Sequence, residues 1–319
     1  MKKSAVIAIN LTIALATLTF ILLSLDSLSL QWDSFKIDYL PLLAALVFFL
    51  TSHLFRSLRL KAINFAEGQS LRSIFAVSSL HNVIAYFLPA RTGEISLLWF
   101  SKQILETPVH ISSATLLSTR AYDLVILFAL SFIAMTQSDM INIPALFTTL
   151  AILAMISCVA IMILFLLKKN AVISSVNTSR THSIMRFADT LLAQLHHRTA
   201  PVMLLLTALI WCCVILNFYS ICLALGFKPQ LMEMALISIV ALPLSLLPVN
   251  GVANLGSHEA AWVMVLSLLG APKEQSWYIA VGSHVILIVF IITLSFLAIS
   301  VLLYEKKITG RKKIFGSRR

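Results

Sequence analysis

Residues 73–105 read SIFAVSSLHNVIAYFLPARTGEISLLWFSKQIL, and the fold turns on how this stretch is interrupted. The apolar segment from Ser73 to Leu88 is shorter than the ~17 residues that a membrane-spanning helix needs. It stops at Leu88-Pro89-Ala90-Arg91-Thr92-Gly93-Glu94, and a second short apolar segment runs on to Leu105. Pro89 removes a backbone donor and disfavours helical geometry in the residue before it, while Gly93 permits a sharp turn. The expected structure is two half-helices meeting inside the bilayer, a re-entrant hairpin that enters and leaves on the inner side. Full crossing by each half is the alternative, and it leaves the parity of the chain unchanged. Irregular backbone at that depth must be buried in protein or line a wet cavity.

The same device recurs downstream. Met232 to Leu247 forms a short apolar half, Pro248-Val249-Asn250-Gly251-Val252-Ala253-Asn254-Leu255-Gly256-Ser257-His258-Glu259 interrupts it, and Ala260 to Leu269 completes it. Around the two breaks lie apolar runs long enough to span the bilayer, at 4–25, 39–60, 109–136, 144–167, 201–225 and 276–304. Residues 1–319 are therefore expected to form a single all-α polytopic membrane domain of six full spans and two re-entrant hairpins. Each half, 4–136 and 144–304, reads span, span, broken hairpin, span. The first starts inside and the second outside, which makes an inverted repeat. The spacing from Glu94 to Arg120 is nearly that from Glu259 to His284. Paired broken segments in two inverted halves point to the substrate site of a transporter.

Composition agrees. Hydrophobic residues make up 59% of the chain and charged residues 12%, against about 25% charged in a soluble globular protein. The net charge of +11 gathers in three places: Arg56, Arg59, Lys61 and Arg72; the stretch from Lys168 to Arg198; and the tail from Lys306. A nucleic-acid binder would carry such charge on a folded polar surface, which is missing here. The positive-inside rule accounts for the clusters and predicts a multi-pass protein of the cytoplasmic (inner) membrane with both termini in the cytoplasm. Anionic headgroups add attraction. Met1-Lys2-Lys3 followed by an apolar run to Leu25 reads as a retained signal-anchor. Cys158, Cys212, Cys213 and Cys222 lie in apolar spans without metal-ligand spacing and read as small buried hydrophobes.

Within the internal loop 168–200, Ile184, Phe187, Ala188, Leu191, Leu192 and Leu195 form one helical stripe. It predicts a helix lying on the cytoplasmic face or one packed against protein. Residues 305–319 form a basic cytoplasmic tail.

Arg91, Glu94, Arg120, Asp123, Glu233, His258 and Glu259 lie in or beside apolar segments. A charge at the bilayer centre costs at least ~2.5–3.5 kcal/mol, so such residues are functional candidates with a partner nearby. Arg120 and Asp123 share a helical face at i, i+3, as a register-fixing ion pair or as part of a binding site. Glu94 and Glu259 stand at the starts of second half-helices, where a carboxylate meets free backbone donors and the positive end of the dipole. They cap those helices, hold Arg91, Arg120 or His284, or exchange a proton with a substrate. Backbone donors with Arg91 and Arg120 near would suit an anionic group such as a phosphate. His53 and His81 read as partners of neighbouring helices. The sequence carries no Gly-rich phosphate loop, no HExxH and no GxSxG, so neither enzyme, metal nor cofactor is expected.

At these residues the chain resembles a known family. Pro89-Ala90-Arg91-Thr92-Gly93-Glu94, the Arg120-x-x-Asp123 pair and the Pro248…Gly256-Ser257-His258-Glu259 stretch look like the membrane region of the lysylphosphatidylglycerol synthases. This is the flippase-like integral membrane domain that also occurs alone, and the likeness runs from about residue 10 to 305. The resemblance implies movement of a lipid between leaflets and, without the cytoplasmic aminoacyltransferase domain, not a synthase. Stand-alone relatives are associated with glycolipid, hopanoid and other envelope-lipid pathways. Two departures bear on the headgroup. The second break is usually a compact Pro-Gly-Gly-x-Gly-like run, whereas here it is the polar Pro248-Val249-Asn250-Gly251-Val252-Ala253-Asn254. His284 stands where relatives often carry Arg.

The expected function is thus translocation of a phospholipid or lipid-linked anionic headgroup. The site residues would be Arg91, Glu94, Arg120, Asp123, Asn250, His258, Glu259 and His284, and the breaks would rest on Pro89, Gly93, Pro248, Gly251 and Gly256. The expected partners are membrane lipids, with an envelope-lipid enzyme as a further one and no nucleic acid. Two alternatives stand beside it: an ion-coupled small-solute secondary transporter, and a non-transporting subunit of a lipid-modifying or glycosyltransferase complex.

Overall fold

With no water in hydrocarbon to satisfy backbone groups, an apolar run must bond within itself, and the helix is the local way to do so. The computed structural model describes residues 37–137, 179–231, 233–235 and 252–309. In chain order the helices are α1 (Tyr39–Ala62), α2 (Leu71–Phe87), α3 (Ile95–Ile104), α4 (Val109–Gln137), α5 (Ser179–Gln194), α6 (Ala200–Ala224), α7 (Ser257–Leu268) and α8 (Lys273–Thr309). Tight 3-10 turns at Pro89–Glu94 and Val252–Asn254 precede α3 and α7. No strand occurs among the described residues.

Four of the described helices, α1, α4, α6 and α8, are long and apolar enough to cross a membrane. They meet the expected spans at 39–60, 109–136, 201–225 and 276–304. The expected spans at 4–25 and 144–167 lie outside the described residues, as do the first half of the second hairpin from residue 236 onward and Cys158. The 37 residues of α8 make a rod of about 55 Å, longer than the ~30 Å of hydrocarbon. Its polar ends fit that excess: Lys273 and Glu274 open it, and Lys306 and Lys307 close it.

The first break is a proline-led turn between α2, 17 residues long, and α3. Ser70 starts α2 by accepting the Ser73 amide on its hydroxyl, 3.1 Å away. At the far end Leu88 is extended, with φ −83° and ψ 131°, as a residue before proline must be. Gly93 then lies against the backbone of α2. A Cβ built on it would sit 2.6 Å from the Ile84 carbonyl oxygen and closer still to the Ala85 Cα. Glycine is needed here for space, because its neighbour is backbone and cannot move aside.

The chain divides into two compact units. The first comprises the described residues up to Ser52, Ser79–Ser96 and Cys212–Ile299. Trp262, Leu266, Ile279, Ile221, Met234 and Leu294 are its fully buried large side chains, and Phe49 of α1 meets Phe290 of α8 with ring centroids 5.6 Å apart. Gly282 of α8 lets Leu225 approach to contact distance. The second comprises His53–Ser78, Leu97–Trp211 and the described residues from Ser300. Its apolar core joins Leu60, Phe65, Ile74, Leu97, Leu105 and Met203.

In the second unit α5 packs on α4. Ala188 and Leu191 are buried, and the side chain of Gln194 donates to the Thr115 hydroxyl at 2.9 Å and accepts from Ser118 at 2.8 Å. The Tyr122 hydroxyl donates to the Gln194 carbonyl at 3.1 Å. Ala188 and Leu191 of the amphipathic stripe thus face protein, while Leu192 on the same stripe is 36% exposed.

Candidate functional site

In each unit one buried carboxylate, Glu259 or Asp123, is held by a basic side chain. In the first unit the two breaks are in contact, the turn Pro89–Glu94 against the turn Val252–Asn254. Folding thus brings together stretches far apart in the sequence, each with its own carboxylate.

The second break is built around Glu259. One of its oxygens accepts the Gly256 amide at 2.8 Å, which caps the start of α7. Its other oxygen meets Nδ1 of His284 on α8 in a close contact. Nε2 of the same ring donates to the Ala253 carbonyl at 2.9 Å. Glu259 and His284 are 3% and 2% exposed, so this bridge is cut off from bulk solvent. It closes on a strained turn: Ala253 and Asn254 have φ of 54° and 59°, and Gly256 has φ of 87°. The left-handed conformation costs an L-residue about 1–2 kcal/mol, and consecutive residues hold it only where surrounding bonds over-determine it.

Aromatic and imidazole rings surround the bridge. The His258 ring lies 4.6 Å from that of His284. It stacks on Trp262 at 5.7 Å, and Phe218 of α6 packs against both. His258 Nε2 is 3.1 Å from the Ser283 hydroxyl, which itself donates to the Ala280 carbonyl. Tyr86, from the end of α2, presents its ring edge to His284 at 6.2 Å.

The first break carries the weaker counterpart. Glu94 lies 3.7 Å from Nε2 of His81, whose Nδ1 is 3.0 Å from the Ser96 hydroxyl. Arg91 is placed by its backbone within the turn Pro89–Glu94. The unit also buries three polar atoms without a hydrogen-bond partner among the described residues: Ser79 Oγ, Tyr86 Oη and Asn217 Oδ1. Ser79 and Tyr86 are two turns apart on one face of α2. Such orphaned groups cost about 1–3 kcal/mol each in a purely structural core, and they suit a region that receives water or a polar ligand.

The second unit has a different centre. Asp123 of α4 is held by Arg59 of α1 at 2.6 Å, with both side chains 5% exposed. Trp211 Nε1 of α6 donates to the same carboxylate at 3.3 Å. Arg59 also donates to the Thr207 hydroxyl at 3.0 Å. Arg120 stands 3.5 Å from Asp123, with 37% of its side chain exposed. The expected Arg120–Asp123 pair therefore exists but is the looser of two. Arg59, read from the sequence as a cytoplasmic retention charge, is a buried partner that neutralises Asp123. It sits on the inward face of α1, and a partner from a distant helix is invisible in a local charge cluster.

The candidate residues thus divide. Glu94, His258, Glu259 and His284 fall in the first centre, and Arg120 and Asp123 in the second. Asn250, Pro248 and Gly251 lie outside the described residues. Glu233 accepts the Gln230 amide at 2.7 Å and serves as a local cap. His81 meets a neighbouring helix as expected. Cys213 and Cys222 are buried, while Cys212 is exposed. Tyr86, Asn217, Arg59 and Trp211 were missed, since a tyrosine, an asparagine and a tryptophan among apolar residues carry no spacing signal.

No curated protein and no solved structure matches the chain. Its apolar helices and its sequence pattern agree on a multi-pass membrane protein. Over residues 6–295 it matches, and it belongs to, the lysylphosphatidylglycerol synthase TM region family.

Proposed function

We propose that this chain moves a phospholipid or a lipid-linked anionic headgroup between the leaflets of the cytoplasmic membrane. The observation that carries this reading is the meeting of the two broken turns in one unit, with Glu94 on one and Glu259, His258 and His284 at the other. Broken helices are how membrane proteins expose backbone donors and carbonyls to a polar cargo. Membership of a family named for lipid synthesis favours a lipid over a free solute. In this reading the halves 4–136 and 144–304 form an inverted repeat, both termini face the cytoplasm, and the hairpins enter from opposite sides. The headgroup crosses between the hairpins while its tails stay in hydrocarbon. Arg91 attracts its negative charge, and no covalent step is involved. Arg120 and Asp123 belong to the second unit, where Asp123 ties α4 to α1 through Arg59.

The test is the leaflet distribution of labelled lipids in liposomes containing the purified chain. Acceleration over empty liposomes is expected for at least one anionic or lipid-linked species, and it should be reduced by Glu94→Ala. No acceleration across a lipid panel overturns the proposal. Solute uptake without lipid movement would instead support a coupled solute transporter. Single cysteines at Ala90→Cys and Ala253→Cys, after removal of the native ones, test the hairpins: labelling from inside and outside respectively is expected of opposed re-entry, and the reverse pattern of full crossings.

A further inference from the structure

The imidazole of His284 has an oxygen at each end. A carbonyl can only accept, so the 2.9 Å contact with Ala253 requires a hydrogen on Nε2. Nδ1 faces an oxygen of Glu259, and two lone pairs turned on each other repel rather than bond. A hydrogen must lie between them, and only two arrangements supply it. Either His284 is an imidazolium donating to a carboxylate, or Glu259 is a carboxylic acid donating to a neutral ring. In both, the pair carries one proton more than a carboxylate beside a neutral imidazole. The second oxygen of Glu259 is occupied by the Gly256 amide at 2.8 Å, which fixes the extra proton to the line between the two side chains.

We infer that Glu259 and His284 form a buried proton-binding site whose occupancy holds the second break in its closed shape. When the proton leaves, to water or to a basic group of a cargo, one N–H or O–H bond breaks and the pair passes from neutral to a single negative charge. The ring then keeps one hydrogen for two acceptors. If it stays on Nε2, Glu259 faces a lone pair. If it moves to Nδ1, the Ala253 carbonyl loses its donor. Either loss releases a restraint on consecutive left-handed residues, which persist only while their surroundings over-determine them. The closed turn binds more protons than the open one, so low pH favours it and rising pH opens it.

The groups around the pair can be named from each side. On α7, His258 stacks beside His284 and is tied to Ser283. On α2, Tyr86 turns its ring edge to His284. The first break, in contact with the second, contributes Glu94, beside His81. From α6 the neighbour is the apolar ring of Phe218, packed on His258. The site stands on hydrogen-bond valence alone. Its role as the coupling ion's site in a lipid translocase rests on the function proposed above.

Amide hydrogen exchange over residues 252–260, in the purified full chain in nanodiscs, reads the site without any transported substrate. Between about pH 5 and pH 9, after correction for intrinsic exchange, protection in the wild type is expected to fall about tenfold, the effect of one lost hydrogen bond. Glu259→Gln donates an amide hydrogen to Nδ1 and still accepts from Gly256, so its protection should stay high and independent of pH. His284→Ala should be unprotected at every pH. A flat wild-type profile, or a Glu259→Gln profile that titrates like the wild type, overturns the proposal. Should either variant fail to fold, the imidazole nitrogen-15 shifts of the native chain decide: Nε2 must carry hydrogen in the low-pH state, and an Nδ1-only tautomer there refutes the site. A pH response without lipid movement would refute the translocase and leave the proton site standing.

Discussion

The two buried centres solve the problem of charge in an apolar protein in opposite ways. In the second unit Asp123 has a permanent cation at 2.6 Å and an indole donor at 3.3 Å, from helices far apart in the sequence. In the first unit Glu259 faces a histidine, which is a cation only while it holds a proton, and the bridge ends on a strained turn. A guanidinium cannot be switched off, so the Arg59 pair acts as a fixed bolt. An imidazole can be switched, so the His284 bridge acts as a latch. The difference separates a centre that holds helices together from one able to change state.

That contrast breaks first at Asp123. Asp123→Ala leaves Arg59 buried without its counter-charge and should destabilise the protein by about 3–5 kcal/mol. Replacing both partners together, Arg59→Leu with Asp123→Leu, should be milder than either single change. Thermal unfolding in detergent measures both, and a double variant as damaged as the sum of the singles would mean that the two do not act as a pair. Next in size is Gly93→Ala. Its methyl meets backbone of α2, and overpacking of this kind costs about 1–3 kcal/mol. A variant with wild-type melting would mean the first break is loose enough to shift, contrary to the contact described.

Smaller effects sharpen the comparison within the first unit. Tyr86→Phe removes a buried hydroxyl that has no hydrogen-bond partner among the described residues, so stability should hold or rise by up to about 1 kcal/mol. Lipid movement should nevertheless fall if that hydroxyl meets the cargo. Unchanged movement removes Tyr86 from the site. Ala253→Gly should raise stability slightly, by less than about 1 kcal/mol, because relief of the left-handed strain exceeds the entropy lost by glycine. A drop in melting temperature would show that the turn is unstrained.

Much of this was legible before folding. Pro89 and Gly93 announced the first break, and both do there what their chemistry dictates: one ends α2 and the other lets the turn lie on its backbone. Glu259 was legible as a helix-start carboxylate because the free amides of a helix are local, and its cap on Gly256 is a contact between near neighbours. His284 stood in the sequence as one of three candidate partners, with Arg91 and Arg120, and the fold selects it. Arg59 was misread, since its distance from Asp123 along the chain hides the pairing. Tyr86 and Asn217 were overlooked, since burial is a property of packing.

By itself the sequence determined that this chain is a helical membrane protein interrupted at two places. Those outcomes depend on apolar length, proline and glycine, which act within a few residues. Only the tertiary structure decided which charges are neutralised by which partners, that α5 packs on α4, and that the two breaks touch. Those outcomes depend on helix faces brought together across the chain, where a hydrogen bond made or left unmade in a low dielectric outweighs any local preference.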